Sequence, residues 1–170
     1  MRVGFGYDAH RFAPGRRCVL CGVEVPCDFG PDGHSDADVP LHALMDALLG
    51  ALALGDIGKF FPDSDVKWRD SDSIELLKIV YASVRELGYA LGNADITVVL
   101  ESPRLSPFIG LMRARVADAM GVDVGRVSVK ATTEERMGFT GDGTGISAAA
   151  AVLLEEVASA ACGPRTASGQ

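Results

Sequence analysis

Arg2-Val3-Gly4-Phe5-Gly6-Tyr7-Asp8-Ala9-His10-Arg11 is the stretch that sets the fold. Bulky Val3, Phe5 and Tyr7 alternate with Gly4, Gly6 and Asp8, which is the two-residue period of a strand over residues 2–11. One face of that strand carries bulk. On the other, two positions without side chains leave room for something large to lie against the backbone. Asp8 and His10 follow on this same side, a carboxylate next to an imidazole. With a second imidazole from elsewhere, His42, they make a three-ligand set for zinc with a fourth position open, the pattern of catalytic rather than structural sites. Taken alone, Asp8-Ala9-His10 is a weak signal that a strand end with solvated side chains would also give.

Outward from this strand, Pro14-Gly15 marks a loop, and Val19-Leu20 and Val23-Glu24-Val25 flank a turn at Cys21-Gly22. Residues 27–39 are glycines, prolines and small polar residues without periodicity, so they read as a long loop with room for a functional role. A helix follows, with Asp38 as N-cap, Pro40 in its first turn and an apolar stripe of Leu41, Leu44, Met45, Leu48 and Leu52, ending at Gly55. His42 and Asp46 lie one turn apart on another face, where Asp46 could accept a proton from His42 as a supporting partner of a metal-bound histidine. Residues 55–65 are too short and broken for a helix. The next helix spans residues 72–87, with Asp72 and Glu75 as a capping box and Ile74, Leu77, Val80, Tyr81, Val84 and Leu87 in period. Residues 95–100 are rich in β-formers. Ser106 and Pro107 open a third helix that Gly121 ends, and its start, with Arg104 just before it, can receive an anion. Val127, Val129 and Ala131 alternate with polar neighbours as a strand. Four glycines between 138 and 145 require unusual backbone angles or close approach to a ligand. The alanine-rich run 146–154 does not separate helix from strand.

The chain has 170 residues, 48% of them apolar, enough for one domain with a core. A formal charge of −7 argues against nucleic acid or an anionic membrane as partner. Without an apolar run of membrane length or a leader-like start, the chain reads as cytoplasmic. Cys18, Cys21, Cys27 and Cys162 read as free thiols. Cys18, Cys21 and Cys27 with His34 could form a structural zinc site, but no second Cys-x-x-Cys supports it.

Several blocks, taken in order, resemble one family. They are Gly6-Tyr7-Asp8-Ala9-His10, His34-Ser35-Asp36-Ala37-Asp38, Leu41-His42-Ala43-Leu44 with Asp46-Ala47-Leu48-Leu49-Gly50, Gly55-Asp56-Ile57-Gly58-Lys59 with Phe61-Pro62-Asp63, and Lys130-Ala131-Thr132-Thr133 with Gly138-Phe139-Thr140-Gly141. Over residues 1–157 the chain looks like a 2-C-methyl-D-erythritol 2,4-cyclodiphosphate synthase of the non-mevalonate isoprenoid pathway. The resemblance implies an α+β fold in a single domain, residues 1–157, and a mixed β-sheet with helices packed on one face, while the small polar residues 158–170 read as a flexible tail. It implies a homotrimer with sheets lining the interior and active sites between subunits. Residues 146–154 then become the last strand.

The resemblance also implies the site. Asp8, His10 and His42 would bind zinc, and Glu135 a second divalent ion, magnesium or manganese. Asp8, Ala9, His10, His34, Ser35, Asp56, Ile57, Gly58, Phe61, Pro62, Asp63, Ser64 and Asp65 would hold the methylerythritol phosphate and ribose. Leu100-Glu101-Ser102-Pro103-Arg104-Leu105-Ser106 with Ala131, Thr132, Thr133, Glu134 and Glu135 would hold the cytidine diphosphate, with Phe139 and Asp142 nearby. His34 and Thr133 would stabilise charge in the transition state. Three departures from the family's usual pattern stand out: Asp142 where a basic residue is frequent, Glu134 where a third threonine is, and Arg104 where a lysine is, which keeps the charge but changes its geometry. Two other readings compete with cyclisation. One is a zinc phosphohydrolase using bound water. The other is a non-catalytic trimer that binds cytidine nucleotides or isoprenoid phosphates.

Overall fold

The computed structural model describes residues 1–33, 35–62, 65–68 and 71–157. The first strand, β1, runs Arg2–Pro14, three residues past the alternating stretch. Short strands β2 (Val19–Leu20) and β3 (Val23–Glu24) form the expected hairpin, turning at Cys21 (φ 50°) and Gly22 (φ 69°). The expected loop 27–39 contains a strand, β4 (Phe29–Pro31), which pairs antiparallel with the far end of β1 and extends it. Three residues around a glycine and a proline offer no alternation to read.

The helix α1 (Val39–Ala51) begins as the sequence indicates, with the Asp38 carboxylate accepting the Leu41 N–H at 3.2 Å. That carboxylate also accepts the N–H groups of Cys21 and Gly22, tying the hairpin to the helix. The helix ends four residues before Gly55, and it is no one-sided amphipath: Leu41, Ala43, Leu44, Met45, Ala47, Leu48 and Leu49 are all inaccessible. The reason lies in β1. A Cβ at Gly4 would sit 1.9 Å from the Ala47 carbonyl oxygen, and one at Gly6 2.0 Å from that of Ala43. Helix backbone therefore rests on strand backbone, and α1 is a central helix rather than a surface one.

Residues 55–65 do hold a helical turn, α2 (Ile57–Phe60), closed by the Asp56 side chain on the Lys59 N–H, and a 3₁₀ turn follows at Val66–Trp68. The next helix, α3, spans Ser73–Glu86. Asp72 caps it through Ile74 N–H, and Glu75 pairs with Lys78, so the capping box does not form. Strand β5 (Tyr89–Val99) starts well before the β-rich run. Helix α4 (Ile109–Met120) starts later than Ser106, with Phe108 at its N-cap and Gly121 (φ 63°) closing it. Strand β6 (Val127–Thr132) buries Val127 and Val129 but leaves Ala131 exposed, so the expected inward face covers only its first half. The glycine-rich segment contains one further helical turn, α5 (Gly138–Gly141), and residues Gly145–Glu156 form the last strand, β7.

The five-stranded sheet has the order β4-β1-β7-β5-β6, antiparallel except for the parallel pair β5–β6. It is the mixed sheet of an α+β domain. Ile96 and Val98 of β5, Val127 and Val129 of β6 and Ile146, Ala148, Ala150 and Val152 of β7 point into one core. Leu76, Leu77, Val80 and Val84 of α3 and Met112 and Val116 of α4 cover it, with α1 between. The opposite face of the sheet carries Val3, Phe5 and Tyr7, which are 76%, 69% and 55% exposed. Cys18 and Cys21 are buried free thiols and Cys27 is half-buried. No described helix is long and apolar enough to cross a membrane.

Candidate metal centre

Asp8 and His10 stand on the helix side of β1 because that side starts with two glycines, and α1 brings His42 down onto them. The three residues, 34 positions apart at the widest, offer ligand atoms that all lie within 4.8 Å of one another, and among the described residues they are the metal-binding group found. Asp8 Oδ2 is 3.2 Å from His10 Nε2 and 2.9 Å from His42 Nδ1. The other Asp8 oxygen accepts the Ala9 N–H at 2.8 Å, which fixes the carboxylate plane. His10 Nδ1 donates to the Asp32 carbonyl at 2.5 Å, so in the neutral ring the lone pair of Nε2 faces the site. Two imidazoles and one carboxylate suit zinc among the common ions, and three protein donors leave room for a ligand from outside.

Electrostatics agree with a cation site. Burial works against the charge on Asp8, but hydrogen bonds from His10 and His42 outweigh it and hold the carboxyl well below the usual range. The Asp8 carboxylate in turn raises the proton affinity of His10, against the opposing effect of burial.

These groups open into a cavity of about 240 Å³ that is also lined by Gly33, Ser35, Met45, Ile57, Gly58, Phe61, Trp68 and Leu76. Of the residues expected here, Ser35, Ile57, Gly58 and Phe61 are in the wall, Asp56 caps α2 beside it, and Asp65 accepts the Lys67 N–H just beyond. His34, Asp63 and Ser64 lie outside the described residues. Gly33, Met45, Trp68 and Leu76 are wall residues that the sequence reading does not single out. Met45 and Leu76 sit inside apolar helical stripes, where nothing in the pattern distinguishes a pocket wall from core.

Asp46 differs from its expected role. Its Oδ1 accepts the Ile57 N–H at 2.8 Å, so this side chain fastens α2 to α1, and burial raises its proton affinity. The ring of His42 instead meets Asp8 on one side and, at Nε2, the hydroxyls of Ser73 (3.3 Å) and Ser35 (3.4 Å) on the other. One helical turn places Asp46 beside His42 along the axis, but its carboxylate turns toward the open N–H groups at the start of α2.

A second cleft of about 630 Å³ lies at the start of α4. Leu100, Glu101, Pro103, Arg104, Leu105 and Ser106 line it from one side, and Ala131, Thr132 and Thr133 from the other. The two cavities share no lining residue. Glu135 stands outside the Asp8 group. It takes a left-handed backbone (φ 50°) and accepts the Thr133 hydroxyl at 3.1 Å. Glu134 accepts the Thr140 hydroxyl, Phe139 is exposed, and Asp142 accepts both the N–H and the hydroxyl of Thr144.

Comparison with known proteins places this geometry. Residues 1–155 match the model of the YgbB family. The chain is 58% identical over 154 residues to the 2-C-methyl-D-erythritol 2,4-cyclodiphosphate synthase of Moorella thermoacetica, covering 91% of this chain and 94% of that one. The enzyme of the same name from Xanthomonas axonopodis pv. citri is 54% identical, with 92% and 95% covered. Among solved structures, a 2C-methyl-D-erythritol-2,4-cyclodiphosphate synthase with CDP bound superposes with a TM-score of 0.84 at 36% identity, over 91% of this chain and all of the other. The bifunctional IspDF of Campylobacter jejuni superposes at 0.88 with 42% identity, and here the chain spans 91% of its own length but 42% of that larger protein. With its sequence matched nearly end to end and its fold superposed at these levels, the chain belongs to the YgbB family.

Proposed function

We propose that this protein is a 2-C-methyl-D-erythritol 2,4-cyclodiphosphate synthase. It converts 4-diphosphocytidyl-2-C-methyl-D-erythritol 2-phosphate to the cyclic diphosphate and CMP in the non-mevalonate route to isopentenyl diphosphate. The observation that carries this is the meeting of Asp8, His10 and His42 in the wall of a cavity, in a chain 58% identical to an enzyme of that name.

In this reaction an oxygen of the 2-phosphate forms a bond to the β-phosphorus, and the bond from that phosphorus to the oxygen bridging to the α-phosphorus breaks. CMP leaves with the bridging oxygen, so the enzyme acts as a phosphorus–oxygen lyase. The obstacle is repulsion: two unit charges about 4 Å apart cost ~4 kcal/mol at an effective dielectric of ~20. A protein of net charge −7 does not offset this through its overall field, so local groups must. A zinc ion on Asp8, His10 and His42, and a magnesium or manganese ion on Glu135, would supply positive charge where the phosphate and diphosphate meet. The protein's own part is positioning. Ile57, Gly58 and Phe61 hold the methylerythritol end, with Ser35 beside His42, and Asp56, Pro62, Asp63, Ser64 and Asp65 complete that segment. Residues 100–106 with Ala131 and Thr132 hold the cytidine end, and Arg104 can face the phosphates. His34 and Thr133 stabilise the charge that builds up at the transition state. The attacking phosphate is already ionised, so no general base is needed.

Because the metal cavity and the 100–106 cleft share no wall, one substrate spanning both types of pocket calls for a second copy to bring them together. The uncovered Val3, Phe5 and Tyr7 face supports the same conclusion. We therefore place the active sites between the subunits of a homotrimer whose sheets line its interior. A cytoplasmic location follows from a substrate and product too highly charged to cross a membrane unaided.

Purified protein is expected to carry about one zinc per chain, and His42→Ala to lose both that zinc and CMP release. Chromatography separates the products: cyclic diphosphate with CMP is the expected pair. Free phosphate, or undiminished CMP release from zinc-stripped protein, would overturn the reading.

A further inference from the structure

We infer that Ser73, backed by Asp36, is a positioning residue that presents His42 to the metal. The inference rests on the metal reading above. His10 has its outer nitrogen fastened by the Asp32 carbonyl. His42 needs an equivalent, and Asp46 does not provide it. The groups at His42 Nε2 are the hydroxyls of Ser73 and Ser35, at 3.3 and 3.4 Å.

The Ser73 hydroxyl has one hydrogen, and it is committed. Ser73 Oγ donates to Asp36 Oδ1 at 2.5 Å, and Asp36 Oδ2 accepts the Ser73 N–H at 3.0 Å. A hydroxyl held this way by a carboxylate has only lone pairs left for its other neighbour. Ser73 is fully buried. A ring with a bare Nε2 would set lone pair against lone pair in a place without water, at the cost of an unsatisfied buried group. Nε2 therefore carries the hydrogen and donates it to Ser73, so that with zinc in place of the proton shared with Asp8 the neutral ring would keep its lone pair on Nδ1, the nitrogen that faces Asp8. Ser35 does not oppose this, since its oxygen already accepts the Ala37 N–H at 3.0 Å and its hydrogen is free to turn away.

The arrangement is a carboxylate–hydroxyl–imidazole chain drawn from three separate segments: the loop before α1, the first residue of α3, and α1 itself. It makes docking of α3 a condition for a metal-ready His42. It also gives Asp36 and Ser73 a role that helix capping does not require, because Asp72 already caps α3 through Ile74.

The test is zinc affinity, by competition with a chelator, for the full-length parent, Ser73→Ala, Ser73→Thr and Asp36→Asn, with the melting temperature of each metal-free protein recorded beside it. Ser73→Ala is expected to bind zinc about 10–100-fold more weakly, and Ser73→Thr, which restores the hydroxyl, to recover most of that loss. In the zinc-loaded parent, the Nε2 proton of His42 is expected to be protected from solvent exchange in NMR spectra and to lose that protection in Ser73→Ala. A purely structural role for Ser73 would lower the metal-free melting temperature without moving either readout. Zinc affinity of Ser73→Ala within about twofold of the parent would overturn the inference, against the range expected for a supporting partner. Should Ser73→Ala not fold, Asp36→Asn decides in the same way: weaker zinc binding supports the chain, and parental affinity refutes it. A parent that holds no zinc at all would instead sink the metal reading itself.

Discussion

The two faces of β1 use alternate residues of one strand in opposite ways. On one face Gly4 and Gly6 bring strand backbone against the backbone of α1, and Asp8 and His10 continue that line into the cavity. Its partner is within the chain, contact is at van der Waals limits, and the metal ligands inherit the rigidity. On the other face Val3, Phe5 and Tyr7 are large and apolar, with Ala149 and Ala151 of β7 beside them in register, and no described element of the chain covers them. Further across, Asp95 and Lys130 form a half-exposed ion pair at 2.6 Å. Small residues where a helix must approach, and large ones where nothing in the chain does, indicate that the first face was shaped by folding and the second by association.

The comparison can be broken at two places and sharpened at a third, in order of size. Gly6→Ala puts a methyl 2.0 Å from the Ala43 carbonyl and 2.7 Å from Ala47 N, both backbone atoms that cannot step aside. A loss of about 3 kcal/mol in folding stability is expected, seen as an earlier urea transition by circular dichroism, and zinc loading should suffer with it. A near-parental transition would mean that α1 does not rest on β1 as described. Phe5→Asp, one residue away on the other face, should leave the circular-dichroism spectrum intact while costing ~2–4 kcal/mol of association, so that light scattering finds smaller species than in the parent. A variant that keeps the parental mass would remove the case for association through this face.

The smallest effect sharpens the comparison rather than breaking it. Lys130→Ala removes a partly solvated pair and should cost ~0.5 kcal/mol in a single chain. The Lys130 ammonium holds the Asp95 carboxyl below its ordinary value of 3.8. A depressed folded-state value contributes stability that is complete above 3.8 and lost as the pH falls through the lower one. The difference between parent and Lys130→Ala, read from denaturation midpoints, should therefore shrink in acid below that value. A difference that grew in acid would contradict the pairing.

Much of the molecule was legible because its signals are local. The period-two alternation of residues 2–8 gave β1, Asp38 and Pro40 gave the start of α1, Gly121 gave the end of α4, and Cys21-Gly22 gave the hairpin turn. Each is a statement about backbone angles or one turn of hydrogen bonds. The ordered blocks gave the family, and with it the strand identity of β7, which periodicity alone left open. The misses share a cause. Strand β4 exists through pairing with β1, α1 is buried over most of its circumference through what surrounds it, and Met45 and Leu76 become pocket wall through where their helices pack.

By itself, then, the chain's order of residues determined which side chains could bind a metal and on which elements they ride, since residue chemistry and backbone preference are properties of short segments. Only the tertiary structure decided which nitrogen of each imidazole faces the site and what holds the other. That is why Asp46, one turn from His42 in sequence, turned out to serve α2, while Ser73, 31 positions away, reaches the ring. A hydrogen bond is decided by where donors and acceptors end up once helices pack, and sequence distance carries no record of it.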